Sequence, residues 1–574
     1  MFATPPHFIR GRIRAALHFS LEQITQARTD VESTRAWTLW LLLPRMLLHR
    51  TPGTRTLPKE ECRRRLHAFQ QGDWHHLLHH SDMAEANQAT TTSTPTPERR
   101  AERARHLVHQ GELSAARQAL TATPPAPGTE STLAQLQDPA RRPPAPYTAL
   151  HPTIHQFAPD QPLQLPVSKL LTALRRSRKG AAPGPSGLTA DTLRLVLDDD
   201  ATTALFVDVC QLLAQARVPP NIAKAIGLGR LVALQKPNGG VRGLVVGDVL
   251  RRVVSRCIAQ MFSSHIHTAC SPQQFALSTR AGTGAVLHAL TTATEHNHNS
   301  TILSIDGIGA YDNISRNSML QGLCNTPEAN RCLPYVRLWY TTESEYVWHD
   351  AQGQPHTIHQ GEGGEQGDPL MPALFSLGQQ PALQAVQEHL LPGETLYAFL
   401  DDIYAVVQPH RVRPVYDLLA HHLQAHAHIR LNQGKTRVWN RGGLQPPDAD
   451  TLGPETWVGN RSLPAEQQGV SVQSARKRMC RNSFKTLCAS TCLSLNTCHT
   501  SKTSKQRGCY CFTRQAPAAT TCFGCSRQPK QHHLHTATTS KSAGASPDSC
   551  KRIRSQSMQL HGLTCPLQWG AWGS

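Results

Sequence analysis

Long apolar runs are missing from this sequence. The longest, TLWLLL at 38–43, is far too short to cross a bilayer and stops at Pro44, so no membrane-spanning helix is expected. The N-terminus, MFATPPHFIRGRIRAALHF, has no continuous hydrophobic segment of the kind a secretory signal requires. Cysteine is sparse before residue 473, where Cys62, Cys210, Cys257, Cys270, Cys324 and Cys332 stand alone. That spacing reads as small core residues in a reducing compartment, not as a disulfide framework. No internal repeat suggests a solenoid. The expectation is a soluble, intracellular protein of several domains, since 574 residues are too many for one core.

Acidic residues are missing from one region only. Residues 473–574 hold 15 Lys and Arg but a single acid, whereas residues 1–180 hold 24 against 14 and residues 181–472 hold 20 against 25. The net charge of +19 is thus a slightly acidic middle between two basic flanks. Such a distribution fits a polyanion gripped by the flanks while carboxylates in the middle bind cations, although basic segments are also often merely solvated.

Residues 1–85 read as a helical basic region, with RGRIRAALHF and KEECRRRLHAFQ mixing cations and apolar residues. Residues 86–164 begin with the polar linker NQATTTSTPTPE. A helical hairpin with a break at Gly111 follows, its inner face assigned to Leu107, Val108, Leu113, Ala116 and Leu120. The Pro-rich stretch from 123 to 147 then reads as an extended spacer. From about residue 165 helices and strands alternate, which argues for an α/β or α+β domain. Helix signals lie in PVSKLLTALRRS, in TADTLRLVLDDDATTALFVDVCQLLAQA and in VLRRVVSRCIAQMFSSHI; strand signals lie in GRLVALQK, GLVVG, TILSID, EYVWHD, HTIHQ, LYAFLD and DIYAVV.

Two of these strands end in carboxylates. Asp306 closes the β-branched run TILSI before the flexible Gly307 and Gly309, and Asp401 and Asp402 interrupt LYAFLDDIYAVV. In that segment the alternation sends Leu396, Ala398 and Leu400 to one face and Tyr397 and Phe399 to the other, leaving the acid pair at a hairpin tip. Like charges held together repel, and a divalent cation with oxygen ligands relieves the repulsion. Either acid group alone is ordinary turn chemistry. Between them lies GEGGEQGDPLMPALFSLG, a glycine-rich turn running into an apolar helix, which suits close approach of backbone to phosphate or to a base pair. Upstream, Lys236 and Arg242 flank a Pro-Asn-Gly-Gly turn and could grip a triphosphate.

Taken in order, KPNGGVRG, IDGIGAYDNIS, GGEQGDPLMPALF, FLDD and LNQGKTRVW resemble the successive motifs of a reverse transcriptase, with most likeness to the non-LTR retrotransposon and group II intron lineage. The preceding KGAAPGPSGLTADTL is similar to the segment that opens the fingers in that lineage. The resemblance covers roughly residues 165–472. It implies an α+β right-hand polymerase with fingers at 165–300, palm at 301–408 and the end of the palm and start of the thumb at 409–472. By position Asp306 and Asp401 match the ligands of two Mg²⁺ ions, with Mn²⁺ as the substitute and Asp402 as a supporting carboxylate. Tyr311 matches the aromatic that stacks under the incoming sugar, Gln366 and Gly367 the lining of the nascent base pair, and Lys236 and Arg242 the triphosphate grip. Lys435 matches a lysine that protonates pyrophosphate. Leu400 departs from the Ala usual before the acid pair, and Asp312 is a third nearby acid expected to accept a local hydrogen bond.

The implied partners are an RNA template, a DNA primer and dNTPs, with no membrane; the oligomeric state is open. The nucleus is favoured over the cytoplasm. Neither an endonuclease domain nor a ribonuclease H acid set is legible. Beyond residue 472 three readings stand: an out-of-frame tail that would truncate the thumb, a zinc site at Cys522, Cys525 and the following histidines, or plain disorder. An RNA-templated RNA polymerase is the enzymatic rival, and an inactive remnant that only binds nucleic acid is the other.

Overall fold

The computed structural model describes residues 5–459, apart from 6, 51–57, 87–95, 110, 112, 122–124 and 237–238. The expectations for the basic tail and the zinc site lie outside these residues. Among the described residues no helix is long and apolar enough to cross a membrane.

The apolar runs assemble into two four-stranded sheets. β1 (Gly229–Gln235) and β2 (Val241–Val246) form an antiparallel hairpin, as do β4 (Ser344–His349) and β5 (Pro355–Gln360). A short parallel pairing of Gly229 and Arg230 with Tyr346 and Val347 joins the two hairpins, giving the order β2-β1-β4-β5. The second sheet is antiparallel throughout, in the order β6-β7-β3-β8, from β3 (Thr301–Ile305), β6 (Thr395–Phe399), β7 (Asp402–Val407) and β8 (Arg437–Asn440). The architecture is α+β, with helices covering antiparallel-rich sheets.

Both faces of the second sheet are covered. Ile302, Tyr404 and Val406 pack with Val286 and Leu290 of the helix Gly282–His296. Leu303, Ile305, Ile403, Ala405 and Val407 join the main core with the helices Met371–Gln387 and Val412–Ala427. This double burial explains why all five residues of β3 are buried and why TILSI reads as an unbroken apolar run rather than an alternating one. The six cysteines before residue 473 are free thiols, five of them buried.

The helices Arg10–Gln26 and Asp30–Leu48 share the main core, through Leu17, Trp37, Trp40 and Leu43. Thr29 opens the second with a capping box closed by Glu32. Arg14 donates to the Asp198 carbonyl at 3.1 Å and His18 meets Thr202 at 2.9 Å, so this N-terminal region is tied to the helix Asp200–Ala214.

Three local expectations fail. In the hairpin formed by the helices Pro97–His109 and Leu113–Thr121, Val108, Leu113 and Leu120 are exposed instead of inward; Ala116 is buried as expected, together with Ala104. The helix signal read over 189–216 is interrupted at Asp199, whose carboxylate accepts the Thr202 N–H at 2.8 Å and caps a new helix. The Pro-rich stretch at 123–147 is packed, not a free spacer. Ala126 donates its N–H to the Ala233 carbonyl of β1 at 2.8 Å, and Leu136 of the helix Glu130–Gln137 enters the core of the first sheet.

Candidate functional site

Asp306 follows directly on β3, and Ile305 pairs with Ile403, so the end of β3 lies beside the tip of the β6–β7 hairpin. Phe399 pairs with Asp402, which leaves Leu400 and Asp401 as a two-residue turn. Leu400 adopts φ +57 there, a conformation that disfavours a branched side chain, and its side chain is buried. Burial against the core and a hydrogen bond hold it: the Gln274 Oε1 accepts the Leu400 N–H at 2.8 Å. Gln273 and Phe275 bond the backbone of Ala398 on either side of that contact, extending the sheet edge. The strand alternation had predicted Leu400 on the face of Ala398; the side chain is inward as expected, but on a strained turn instead of a strand.

Asp401 is half-buried, and its carboxyl is pushed up to about 6, first by burial and then by the charge of Asp306; Lys435 and Arg242 pull the other way. Two like charges held this close, in partial desolvation, form a site that a cation stabilises. Among the described residues no three His, Cys, Asp or Glu side chains gather at metal-binding distance. Asp306 and Asp401 are the carboxylates that could hold a divalent cation here; an ion such as Mg²⁺ commonly takes one or two carboxylates and completes its shell with water and substrate phosphate.

Backbone pairing brings Lys435 in. Asn432 donates to the Asp306 carbonyl at 2.8 Å, Ile308 donates to the Arg430 carbonyl at 2.8 Å, and the turn Gln433–Lys435 follows. The Lys435 ammonium then lies 2.5 Å from Asp306 Oδ2. A Cβ at Gly307 would stand 2.9 Å from both Ala310 and Ile429, so this crossing of chains requires glycine.

Tyr311, in the short helix Ala310–Asn313, stacks on Phe375 with centroids 4.6 Å apart and planes 3° from parallel. Burial and then the charge of Asp401 hold its hydroxyl well above the usual phenol range. Gln366 and Gly367 are the half-buried part of a loop whose preceding five residues, 361–365, are buried. A Cβ at Gly367 would lie 2.1 Å from the Val245 carbonyl of β2, which fixes the loop against the first sheet. Gln366 donates to Asp312 Oδ2 at 3.3 Å.

Lys236 and Arg242 are exposed on the β1–β2 hairpin, where Leu234 pairs with Arg242. The Lys236 ammonium pKa is lowered by burial and then by the charges of Arg242, Lys435 and Arg141, with Asp312 opposing. Of the two hairpin cations, Arg242 acts on Asp401, while Lys236 interacts with Arg242, Lys435 and Asp312. All nine residues singled out in the sequence, Lys236, Arg242, Asp306, Tyr311, Gln366, Gly367, Asp401, Asp402 and Lys435, belong to elements that converge here.

Sequence reasoning missed the groups that hold these elements in place. Arg251, from the helix Val249–Ala269, is buried between Glu365 at 2.8 Å and Asp368 at 3.1 Å, and its guanidinium lies 4.6 Å over the Trp339 ring. Tyr340 adds a hydrogen bond to Asp368 at 2.8 Å. Glu362 accepts the backbone N–H groups of Tyr147 and Arg316, each at 2.6 Å. The available signal was a charge inside an apolar helical stripe, as Arg251 is in VLRRVVSRCIAQ.

Residues 234–469 match the family described as reverse transcriptase (RNA-dependent DNA polymerase). The retrotransposable element SLACS 132 kDa protein of Trypanosoma brucei gambiense is 26% identical over 267 residues, which are 46% of this chain and 22% of that protein. The chain thus spans about a fifth of the length of the curated relative it matches. A solved structure of telomerase from Candida albicans, in complex with the TWJ fragment of telomeric RNA, aligns over 37% of this chain and 43% of its own, at 13% identity and a TM-score of 0.29.

Proposed function

We propose that the chain, whose residues 234–469 match the reverse transcriptase family, is the polymerase portion of a non-LTR retroelement protein, which extends a DNA primer on an RNA template. The observation that carries this reading is the meeting of Asp306 and Asp401 beside one hairpin tip, with Lys435 paired to Asp306 and Arg242 acting on Asp401.

Asp306 and Asp401 would hold two Mg²⁺ ions, or Mn²⁺ in their place, with Asp402 supporting the turn. Bound there, the ions supply Lewis-acid activation of the primer 3′-hydroxyl and neutralise charge on the leaving group. Lys236 and Arg242 bind the triphosphate and align its α-phosphorus with the primer terminus. The 3′-hydroxyl gives its proton to solvent and its oxygen forms a bond to that phosphorus as the bond to the bridging oxygen breaks, and pyrophosphate leaves. Lys435 gives a proton to the departing oxygen. Tyr311, braced by Phe375, forms the floor beneath the sugar, where a 2′-hydroxyl would meet its ring. Gln366 and Gly367 line the new base pair.

An inactive remnant is not favoured, because the acids, the lysine and the aromatic all stand in one arrangement. The bulky Tyr311 also argues against an RNA-templated RNA polymerase. Primer extension on an RNA template with Mg²⁺ and dNTPs tests the proposal. Extension by the unaltered chain and its loss in Asp401→Ala are expected; extension that survives Asp401→Ala removes the assignment.

A further inference from the structure

Arg142 lies in the Pro-rich stretch ahead of the matched domain, yet its guanidinium is buried in the site. Nε donates to Gln360 Oε1 at 3.0 Å, Nη1 donates to the Leu136 carbonyl at 3.3 Å, and Nη2 lies 3.7 Å from Asp312 Oδ1. The group also sits 5.8 Å from the Tyr346 ring, and a Cβ at Gly243 would stand 2.7 Å from Nη2. A slot between β2, β4 and the end of β5 is therefore shaped around this one side chain. Its neighbours are tied as well: Gly361 donates to the Pro143 carbonyl at 2.7 Å, and Tyr147 bonds Glu362 and Asn313.

The other oxygen of Asp312, Oδ2, accepts from the Gln366 amide. An ionised carboxylate only accepts, so it selects the NH₂ side of that amide and turns the carbonyl oxygen the other way. Burial favours the neutral acid at Asp312, and the charge of Arg142, followed by that of Lys236, favours the carboxylate. Without Arg142, Asp312 carries a proton more readily, and the amide loses its fixed orientation.

We infer that Arg142 is a positioning residue for nucleotide selection: through Asp312 it fixes the Gln366 amide that faces the incoming base pair, so the segment at 138–147 is a working part of the polymerase site. This rests on the polymerase reading above. It gives the upstream segment a chemical role that a tether would not have, because an interchangeable linker has no reason to deliver a buried guanidinium to Asp312.

The test compares the unaltered chain, Arg142→Gln and Arg142→Gln/Asp312→Asn in single-nucleotide extension, with thermal unfolding run alongside. Arg142→Gln is expected to raise the dNTP KM and the misincorporation frequency by roughly tenfold, with kcat changed by less than about threefold. The double variant is expected to keep the raised KM, since an amide at position 312 both donates and accepts and no longer selects one orientation of Gln366; recovery of the KM in it overturns the inference. A folded Arg142→Gln chain with unaltered KM and fidelity overturns the inference, as does a uniform fall in kcat that tracks loss of folded protein. Failure of the unaltered chain to extend any primer overturns the polymerase reading and this inference with it.

Discussion

Lys435 donates to Asp306 at 2.5 Å across 129 residues of sequence. The partner oxygen belongs to one of the two carboxylates proposed to hold metal, so the lysine and a cation share a ligand. Replacing Lys435 by Met should therefore lower kcat by about a hundredfold through loss of the proton donor, while the apparent affinity for Mg²⁺ stays equal or tightens. Single-turnover extension over a Mg²⁺ titration reads both. A variant that loses primer binding but keeps its kcat would reduce Lys435 to a surface cation.

Tyr311 is held flat by Phe375, so the pair should act as one wall. Tyr311→Ala is expected to raise the use of rNTPs relative to dNTPs by roughly 10- to 200-fold, and Phe375→Ala to do so less strongly, by letting the ring tilt. Competition between rCTP and dCTP in primer extension measures the ratio. Unchanged discrimination in both variants would rule out the steric floor.

Arg251 neutralises Glu365 and Asp368 where all three are buried. Arg251→Met leaves two uncompensated acids, and a loss of about 3–5 kcal/mol of stability is expected. Glu365→Gln, which keeps one ion pair and the shape, should lose markedly less. Urea unfolding of the three proteins gives the comparison, and equal midpoints would mean the network contributes little.

His49 is buried at the end of its helix, bonded through Nδ1 to the Arg45 carbonyl, and its pKa is lowered to about 4 by burial and then by the charge of Arg65. The unfolded chain binds a proton near pH 6.5 while the folded chain resists it until about 4. Stability from this group is complete above about pH 6.5 and falls as pH drops toward 4, by an amount on the order of 2–3 kcal/mol. His49→Gln should flatten that part of the profile. Thermal unfolding of both proteins between pH 4 and 7.5 follows it, and parallel curves would exclude His49 as the source.

The carboxylates and the strands that carry them were legible in the chain because their signals are local. A β-branched run ending in Asp306 and an alternating segment broken by Asp401 and Asp402 each state their own secondary structure. The fold class followed from the alternation of helix and strand patterns, and the order of the motifs carried the family resemblance. β8 was not read as a strand, since RVWN is short and becomes a strand by pairing with β3.

The packed course of the Pro-rich stretch was not legible either. Proline content speaks for extended backbone but is silent on what that backbone lies against, and here it runs beside β1 and the glycine-rich loop.

What the sequence determined by itself is the inventory: which side chains are acidic, basic or aromatic, and which short elements end in them. Tertiary structure decided the pairings. Arg142 with Asp312, Arg251 with Glu365 and Asp368, and Lys435 with Asp306 join residues 114 to 170 positions apart. The physical reason is that electrostatic interaction depends on distance and burial in space, and neither is written in the spacing of residues along the chain.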